Sequence, residues 1–393
     1  MFEKYIGIDS IIAAILYFIA FLRMPLSALY NDAKIVLLIG VLAYCLFYFG
    51  EIDKRYKNYN ITLIIFGGWI VFSSFINRHN VVSTDPFKAS LFFAGALVGI
   101  AVALEVLVVR IGYDKIIDVF FKCSVFVNFV EDVYIFFGPV EWRGDSTAFL
   151  LGSKFAVMYQ HLILFWLLLA KTWDRPKLRI VNILYVLYAL IVALKVDSVT
   201  GIVGFVLFAV IVFLIRRSGG FFFKPYIAVL SELLAFAYVF VGTAIMSNEY
   251  IVAFIDKYMG GSSTMMSRVS IYETVFPLIA IKPILGFGYQ TTYELGMQIS
   301  GFSNTQNSLY EWAWYAGWPA AVMILIVIYI GFHNIQRGYC QNCYVDYFIV
   351  ALFYVYVFLG SIEILMQLPF FSILAVAIIS TDRKTIENNK GLK

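Results

Sequence analysis

The amino-acid sequence predicts an all-α membrane protein, a polytopic bundle of about twelve transmembrane helices with one long external loop that contains short helices. Three observations lead to this prediction. Of the 393 residues, 62% are hydrophobic and 14% are charged, whereas a soluble domain is about half apolar and a quarter charged. Apolar runs of near bilayer length recur along the chain. Lys and Arg residues are concentrated in alternate loops.

Each predicted span is an apolar run that meets or approaches the roughly 20 residues needed to cross the hydrocarbon core. The spans fall near residues 8–28, 34–50, 60–77, 87–109, 116–138, 153–171, 178–196, 201–215, 225–247, 311–330, 345–361 and 364–380. No linker rich in Pro, Gly or Ser separates these runs, so we treat residues 1–393 as a single integral membrane domain. We expect the first run to be retained, because no small-residue cleavage site follows it.

The positions of Lys and Arg predict the orientation of the helices, because cytoplasmic loops carry an excess of both. One set of alternate loops contains Lys54, Arg55, Lys57, Arg110, Lys115, Lys171, Arg175, Lys177, Arg179, Arg216, Arg217, Lys224 and Arg337. The opposite loops are longer in total but poorer in positive charge. This alternation predicts that both termini are cytoplasmic and that the long loop is external.

The long loop, residues 248–310, is the longest polar interval in the chain. It contains a helical run from Thr264 to Ile281, a turn at Pro283 and a second turn at Gly286–Gly288. It ends in a polar cluster, Asn304–Asn307, just before an aromatic-rich helix. A loop of this length with helices of its own is typical of a functional segment. We therefore expect the activity of the protein to reside in or beside this loop.

Polar side chains in and at the ends of the predicted spans are concentrated toward the predicted outer face. They are Asn128, Glu131, Asp132, Gln160, His161, Lys195, Asp197, Ser198, Thr200, Glu363 and Gln367. Such groups are costly in a bilayer and mark pathways or sites. Each one taken alone is also explained by a paired charge at the interface or a hydrogen-bonded histidine in a bundle. As a set they predict a polar cavity that opens outward beneath the long loop.

The external residues disfavour a sugar transferase that holds a metal ion through paired carboxylates, and they suit phosphate binding; we expect no cofactor. We find no D-x-D pair, H-E-x-x-H, G-x-S-x-G or phosphate-cradling glycine loop outside the membrane. The basic residues of interest are Arg268 and Lys282 in the long loop and Arg143 in an earlier external loop, because a guanidinium suits a pyrophosphate group. Glu273 and Glu311 are carboxylates able to take a proton from a sugar hydroxyl. The alternative is that both are solvated loop charges.

An aromatic cluster overlaps the end of the loop and continues into the next helix: Tyr310, Trp312, Trp314, Tyr315 and Trp318. Aromatic side chains at such a position favour a belt at the membrane interface. A stacking platform for sugar rings is the alternative, and different residues of the cluster could serve each purpose.

The order of these motifs resembles that of the O-antigen ligase and polymerase superfamily. The resemblance is strongest over 264–320, where the chain reads KPILGFGYQ and then NTQNSLYEWAWYAGW, and weaker over 139–205, where it reads WRGDSTAFLLGSKFA and then DSVTG. In that family an arginine precedes a proline and a G-x-G turn, followed by His-Asn-x-x-Leu and a later glycine. The residues that match this order are Arg268, Pro283, Gly286, Gly288, Asn307 and Gly317.

One position departs from the family pattern. Gln306 stands where the family often has the histidine on which lipopolysaccharide ligases depend, so the resemblance favours the polymerase (Wzy) branch. In that branch, arginines of the third and fifth external loops hold the lipid-linked sugar, and Arg143 and Arg268 lie in those loops by the predicted topology. The longer arginine motifs of the branch have no match in this sequence.

The resemblance implies transfer of a glycan from undecaprenyl pyrophosphate to a hydroxyl of a new lipid-linked repeat unit, independent of metal, at the outer face of a bacterial plasma membrane. The product is of the O-antigen, lipopolysaccharide or capsule type. Fixed positive charge would stabilise the leaving pyrophosphate. The catalytic residues implied are Arg268, Glu273, Gln306 and Asn307, and the substrate-binding residues implied are Arg143, Lys282, Tyr272 and Trp312.

The partners implied are the bilayer, an undecaprenyl-pyrophosphate-linked oligosaccharide, and a chain-length regulator and flippase of the same pathway; we expect no nucleic acid.

Two alternative functions stay open. A ligase of the same fold moves a finished glycan to another acceptor, and Gln306 counts against it. A lipid-sugar transporter or flippase would show symmetry between halves and charges in the middle of the bundle, whereas the polar groups here are biased outward around one asymmetric loop.

Overall fold

The computed structural model describes residues 7–22, 28–79, 83, 85–139, 141–143, 146–173, 175–246, 248, 250, 253, 262–340 and 346–382. Within these ranges the fold is all-helical, as the sequence predicts, apart from one short β-hairpin. The α-helices are α1 (Ile8–Phe21), α2 (Ala28–Phe47), α3 (Lys57–Ile76), α4 (Pro86–Ile111), α5 (Tyr113–Phe137), α6 (Lys154–Thr172), α7 (Arg179–Lys195), α8 (Val199–Arg217), α9 (Pro225–Met246), α10 (Ser262–Ile281), α11 (Thr292–Ser300), α12 (Ser308–Cys340), α13 (Tyr347–Leu359) and α14 (Leu368–Ile379).

Shorter elements join these helices. Antiparallel strands β1 (Glu141–Arg143) and β2 (Ser146–Ala148) form the hairpin between α5 and α6. Single 3-10 turns are Phe49–Glu51, Lys54–Tyr56, Pro176–Leu178, Phe221–Phe223 and Ser380–Asp382. In the long loop, the helix predicted from Thr264 to Ile281 is present as α10, and the loop residues 254–261 lie outside the described residues.

The described part of the chain contains five helical stretches long and apolar enough to cross a membrane: Lys54–Ile76, Pro86–Ile111, Lys154–Thr172, Val199–Arg217 and Ser308–Cys340. Shorter apolar helices are Ile8–Phe21, Pro225–Val241, Ser270–Ile281, Tyr347–Leu359 and Leu368–Asp382. Large apolar side chains also face outward, such as Val36, Leu187 and Phe213, which are 68%, 54% and 61% exposed. An apolar outer surface of this kind marks a membrane-facing protein, in agreement with the predicted class.

The ends of α4 show how local sequence sets helix boundaries. The carboxylate of Asp85 accepts hydrogen bonds from the backbone nitrogens of Phe87 and Lys88 at 3.0 and 3.4 Å. Pro86 follows as the first helical residue, where its missing N–H costs nothing. The helix ends at Gly112, whose φ of +80° suits glycine. The predicted span 87–109 therefore lies inside the observed helix.

The core is centred on aromatic side chains from α3, α4 and α12. The ring of Trp312 lies 5.3 Å from that of Phe66 and 5.1 Å from that of Phe93, centroid to centroid, and all three are buried. Tyr310 and Trp314 are buried as well. These residues were expected to form an interfacial belt or a sugar platform; the structure instead buries all three in the core. Trp312 packs against α3 and α4, Tyr310 against Tyr272 and Phe236, and Trp314 against Phe287 and Phe302.

Helix α12 is broken at Ala316 and Gly317, where Gly317 has φ +76° and ψ 176°. The segment 283–288 of the long loop lies in the break. The backbone nitrogens of Phe287 and Gly288 donate to the carbonyls of Trp314 and Tyr315 at 2.7 and 2.9 Å. These bonds satisfy carbonyl groups that the break removes from the helix, a condition for irregular backbone inside a membrane protein.

Helix α3 and the residue that caps its carboxyl end, Asn77, supply further donors to this region. The indole nitrogen of Trp69 donates to the carbonyl of Ala316 at 2.8 Å. Ser73 donates to the carbonyl of Leu285, and the amide nitrogen of Asn77 donates to that of Gly286 at 3.2 Å. The glycine motifs at 286–288 and 317 therefore belong to one structural unit, held by polar side chains of α3.

Candidate functional site

Two adjoining cavities lie beside the long loop. The first, the loop cavity, has a volume of about 540 Å³ and lies between the amino-terminal half of α6, the turn 304–306 and the connection 363–369. Its polar lining includes Ser153, Gln160, Asn304, Gln306, Glu363 and Gln367. A concave space of this size with a few convergent polar groups is typical of a small-molecule site.

The second, the lysine cavity, has a volume of about 730 Å³ and lies between α1, α2, the start of α4 and the turn after Gly288. Its polar lining includes Tyr30, Lys34, Asp85, Lys88, Gln290 and Gln367. The two cavities share wall residues, namely Leu151, Ser153, Ala156, Gln367 and Pro369. A polar cavity beside the long loop, which the sequence predicts, is thus present and continues into a second one.

Gln306 lines the loop cavity with a backbone held in the left-handed region, φ +53°. Its backbone nitrogen donates to the side-chain oxygen of Asn304 at 3.0 Å, and its carbonyl accepts from the hydroxyl of Tyr272 at 3.0 Å. The predicted substrate-binding residue Tyr272 is itself buried, so it positions Gln306 through this bond.

Left-handed backbone recurs at both cavities. Among the described residues, the non-glycine positions with positive φ are Asp197, Gln290 and Gln306. Gln290 lines the lysine cavity and Gln306 the loop cavity. Such conformations cost roughly 1–3 kcal/mol each and are concentrated at functional sites. Two of the three lie where the loop meets a cavity, which marks these turns as candidates for function.

Asn307, a predicted catalytic residue, caps α12 in the structure. Its side-chain oxygen accepts from the backbone nitrogens of Leu309 and Tyr310 at 3.0 and 3.1 Å, and its amide donates to the carbonyl of Ser361 at 3.3 Å. The side chain is buried and lines neither cavity. These bonds use the amide for helix capping, so a direct role in catalysis is not supported by its position.

Glu311, which the sequence left as a candidate base or a solvated charge, is neither in the structure. It is 2% exposed. Its carboxylate accepts from the hydroxyls of Thr292 at 2.7 Å and Thr305 at 2.9 Å. One carboxylate therefore ties both ends of the segment that contains α11 to α12.

Two glutamines that line the loop cavity, Gln160 and Gln367, hold neighbouring elements in place. The side-chain oxygen of Gln160 accepts from the hydroxyl of Tyr17 at 3.0 Å, and its amide donates to the carbonyl of Phe21. The side-chain oxygen of Gln367 accepts from the hydroxyl of Tyr289 at 3.2 Å. Helix α1 and the turn after Gly288 are thereby held to the cavity rim.

The lysine cavity carries positive charge. The ammonium of Lys34 donates to the carbonyl of Leu22 at 2.7 Å and lies 4.7 Å from the ring centroid of Tyr30. The ammonium of Lys88 lies 3.9 Å from a carboxylate oxygen of Asp85, and its side chain is 83% exposed. Two ammonium groups beside a cavity suit an anionic ligand such as a phosphate, which lysine binds as a point charge.

Lys282 and Trp312, both predicted to bind substrate, serve packing in the structure. The ammonium of Lys282 donates to the side-chain oxygen of Asn77 at 2.9 Å and lies 5.2 Å from the ring centroid of Phe287. The indole nitrogen of Trp312 donates to the carbonyl of Met366 at 2.7 Å, and the side chain is 0% exposed. Neither residue lines either cavity. Lys282 is engaged by Asn77 and by the segment 283–288, and Trp312 by the connection 363–369.

The remaining predicted residues are Arg143, Arg268 and Glu273. Arg143 lies on β1 and Arg268 on α10, and their side chains lie outside the described residues. Glu273 is exposed on α10 and is not among the residues that line either cavity. On the same helix, Ile271 does line the loop cavity.

A buried polar cluster lies behind the loop cavity. The ring nitrogens of His161 lie 3.1 Å from a carboxylate oxygen of Asp132 and 2.9 Å from the hydroxyl of Tyr185. The carboxylate of Glu131 accepts from the backbone nitrogen of Leu151 at 3.1 Å. His161 is fully buried and faces α5 and α7, whereas its neighbour Gln160 lines the cavity. Of the polar residues expected in one cavity, Gln160, Glu363 and Gln367 line it and Glu131, Asp132 and His161 belong to this cluster. The others, Asn128, Lys195, Asp197, Ser198 and Thr200, line neither cavity.

Residues that line the cavities were partly missed from the sequence. No signal in the sequence assigns Lys34 and Lys88 to a site, since both are distant in sequence from the long loop. Gln290 and Asn304 lie within the two stretches that carry the resemblance, and that position is the signal in the sequence that points to them. Comparison with known proteins gives no match: no family model, curated protein or solved structure is significantly similar to this chain.

Proposed function

We propose that the chain is a polysaccharide repeat-unit polymerase that transfers an undecaprenyl-pyrophosphate-linked glycan onto a new lipid-linked repeat unit. One observation carries the proposal. Both stretches of the loop that resemble the O-antigen polymerases deliver side chains to the adjoining cavities: Gln290 after the glycine turn, and Asn304 and Gln306 before α12. A site for two lipid-linked sugars needs such a pair of connected spaces, one of which carries cations.

The proposed orientation follows from the distribution of charge. About twelve spans with cytoplasmic termini put the loop 248–310 and both cavities at the outer face of a bacterial plasma membrane. Five described helical stretches long and apolar enough to cross a membrane support this arrangement, and shorter apolar helices lie in further predicted spans. Broken α12 is consistent with this arrangement, because a substrate site at membrane depth often contains discontinuous helices.

In the proposed reaction, the acceptor hydroxyl attacks the anomeric carbon of the donor glycan, and the bond from that carbon to the pyrophosphate oxygen breaks. Lys34 and Lys88 stabilise the leaving pyrophosphate in the lysine cavity. Arg143 and Arg268, the two arginines that the family resemblance implies, contribute to the same stabilisation. Asn304 and Gln306 orient the sugar hydroxyls in the loop cavity. The hydroxyl proton passes to Glu363, the carboxylate among the described residues that line that cavity.

Two features favour the polymerase over its rivals. Gln306, the residue in the position of the ligase histidine, lines the loop cavity, so a glutamine amide rather than an imidazole faces the substrate. A flippase would carry charges through the middle of the bundle, whereas the charged residues lining these two cavities are Lys34, Asp85, Lys88 and Glu363, near helix ends and connections.

The proposal is tested by complementation in cells that lack their own polymerase, with surface glycan resolved by length on a gel. The variants are Gln306→Ala, Lys34→Gln with Lys88→Gln, and Arg268→Ala. The matched control is Lys54→Gln with Lys57→Gln, which removes two exposed lysines from the opposite face. Membrane levels of every variant are measured beside the wild type.

We expect long chains from the wild type and the control, and only single repeat units at the surface from the site variants. Long chains from all three site variants at normal membrane levels would reject the assigned site. If the strain without the gene fails to bring even single units to the surface, the protein acts in export or attachment. The transporter or ligase assignment would then replace the polymerase.

A further inference from the structure

A second concave surface lies at the other end of α6. It is a groove of about 830 Å³ between the carboxyl-terminal half of α6 and helices α7 and α8, and we call it the arginine groove. Its floor is apolar and includes Phe165, Leu169, Val186, Phe208 and Val212. It shares no lining residue with the loop cavity, which uses the amino-terminal half of α6. The groove is therefore a site separate from the proposed glycan site.

Three arginines line one end of this groove. Arg179 is the first residue of α7, and Arg216 and Arg217 are the last residues of α8, so antiparallel helices bring all three to one level. The guanidinium carbon of Arg216 lies 4.6 Å from the ring centroid of Trp173, and that of Arg179 lies 5.9 Å from it. Within the described ranges, none of the three forms an ion pair with a carboxylate.

The walls of the groove face outward. Ile183, Leu187 and Phe213 line it and are 61%, 54% and 61% exposed. An apolar trough that is open sideways between membrane helices fits an acyl chain. Guanidinium groups at its end fit a phosphate by bidentate hydrogen bonds. Basic pockets between helices on the cytoplasmic side are general binding sites for anionic lipid head groups.

We propose that the arginine groove binds an anionic membrane phospholipid, with an acyl chain along the apolar floor and the phosphate at Arg179, Arg216 and Arg217. The charge complementarity selects this occupant: a neutral lipid would leave three unpaired guanidinium groups, and a free anion would leave the apolar floor uncovered. By the distribution of positive charge, the site faces the cytoplasmic leaflet, opposite the cavities. A bound lipid would hold α7 to α8 and stabilise the folded protein by mass action.

Native mass spectrometry of the full chain in detergent tests this proposal, with phosphatidylglycerol, phosphatidylcholine or inorganic pyrophosphate added in turn. We expect one phosphatidylglycerol to bind at least about tenfold more tightly than phosphatidylcholine. Arg216→Gln with Arg217→Gln should remove that preference. Lys54→Gln with Lys57→Gln, which removes the same charge from the predicted cytoplasmic face outside the groove, should keep it.

Two further variants locate the lipid. Ala209→Trp places an indole in the groove with every arginine intact and should also abolish the preference. Arg216→Lys with Arg217→Lys keeps the charge and should weaken phosphatidylglycerol binding only partly. This pair serves as the test if the glutamine pair does not fold.

Equal binding of both lipids by the wild type would overturn the proposal, as would unchanged phosphatidylglycerol binding in Ala209→Trp. Displacement of the lipid by inorganic pyrophosphate would assign the arginines to a soluble anion instead. Polymer length in cells is a separate readout, so failure of the lipid site and failure of the proposed function remain distinguishable.

Discussion

The backbones of Gly286 and Gly317 lie so close together that a Cβ atom on Gly286 would be 2.8 Å from the nitrogen of Gly317. Both residues have positive φ, +58° and +76°. A Cβ atom on Gly317 would in turn meet the carbonyl of Pro283 at 2.7 Å. Two glycines distant in the sequence are therefore required by a single contact, the one that seats the loop segment 283–288 in the break of α12.

Replacement of Gly317 should disrupt this contact. Gly317→Ala combines left-handed strain with overlap against backbone, which together should lower the free energy of unfolding by about 3 kcal/mol or more. The measurement is the temperature at which half of the detergent-purified protein leaves the monodisperse peak in size-exclusion chromatography. Gly68→Ala is the matched control, because nothing lies within 4 Å of its Cβ position. Equal loss in both variants would mean that the contact does not hold the fold.

Asn77 should matter for the same region through hydrogen bonds. Its amide donates to the carbonyls of Ser73 and Gly286 at 3.0 and 3.2 Å, and its oxygen accepts from Lys282. Asn77→Ala leaves these buried groups unsatisfied and should cost roughly 1–3 kcal/mol in the same thermal assay. Asn58→Ala, on the exposed side of α3, should cost little. An unchanged midpoint for Asn77→Ala would show that water replaces the bonds.

A substitution at Gln306 separates the effect of its side chain on function from the effect of its positive φ on stability. Gln306→Gly removes the side chain from the loop cavity and also relieves the positive φ, so thermal stability should be kept or raised while long surface chains are lost. Asp197→Gly relieves the same kind of strain at a residue that lines neither cavity. It should leave chain length unchanged in the complementation assay. Normal chain length with Gln306→Gly would remove this side chain from the site.

Acid should release the contact between α11 and Ser83. The hydroxyl and the backbone nitrogen of Ser83 donate hydrogen bonds to the carboxylate of Glu294. These bonds lower the pKa of Glu294 below the ordinary value for a glutamate side chain. A carboxyl group with a lowered pKa in the folded protein stabilises it above the unfolded pKa, and that contribution is lost as the pH falls through the folded pKa. We therefore expect the contact to be intact at pH 7 and to open only in acid, below the ordinary pKa of a glutamate side chain.

Hydrogen exchange of the α11 amides, corrected for the intrinsic effect of pH, measures this opening. Wild-type exchange should accelerate as the pH is lowered. Glu294→Gln should exchange at pH 7 as the wild type does in acid and should show no further pH dependence. A pH response that survives in the variant would assign it to a different group.

The sequence predicted those features that depend on local signals. The span 87–109 is bounded by the Asp85 cap and by Gly112, and α10 follows the helical run predicted from Thr264 to Ile281. A polar cavity beside the loop followed from the cost of placing polar groups in a bilayer. Each of these predictions needs only neighbouring residues or the average cost of burial.

Features that depend on distant partners were not predictable in the same way. Whether Trp312 faces lipid, sugar or the core is decided by Phe66 and Phe93, which contact it across the fold. The assignment of Lys34 and Lys88 to a cavity likewise requires the packing of α2 and α4 against the turn after Gly288. A single sequence carries no signal for these pairings.

The two hydrogen bonds to the Glu311 carboxylate determine how the length of the segment that contains α11 can vary. Thr292 and Thr305 donate hydrogen bonds to the same carboxylate. The two ends of the segment 292–305 are therefore held together, whatever the conformation of the residues between them. For a loop closed in this way, doubling the length costs only about 0.6 kcal/mol in entropy. The segment 292–305 can therefore be lengthened, shortened or replaced by another sequence at little cost in free energy. Gln290 and Gln306, which flank it, would keep their positions at the two cavities.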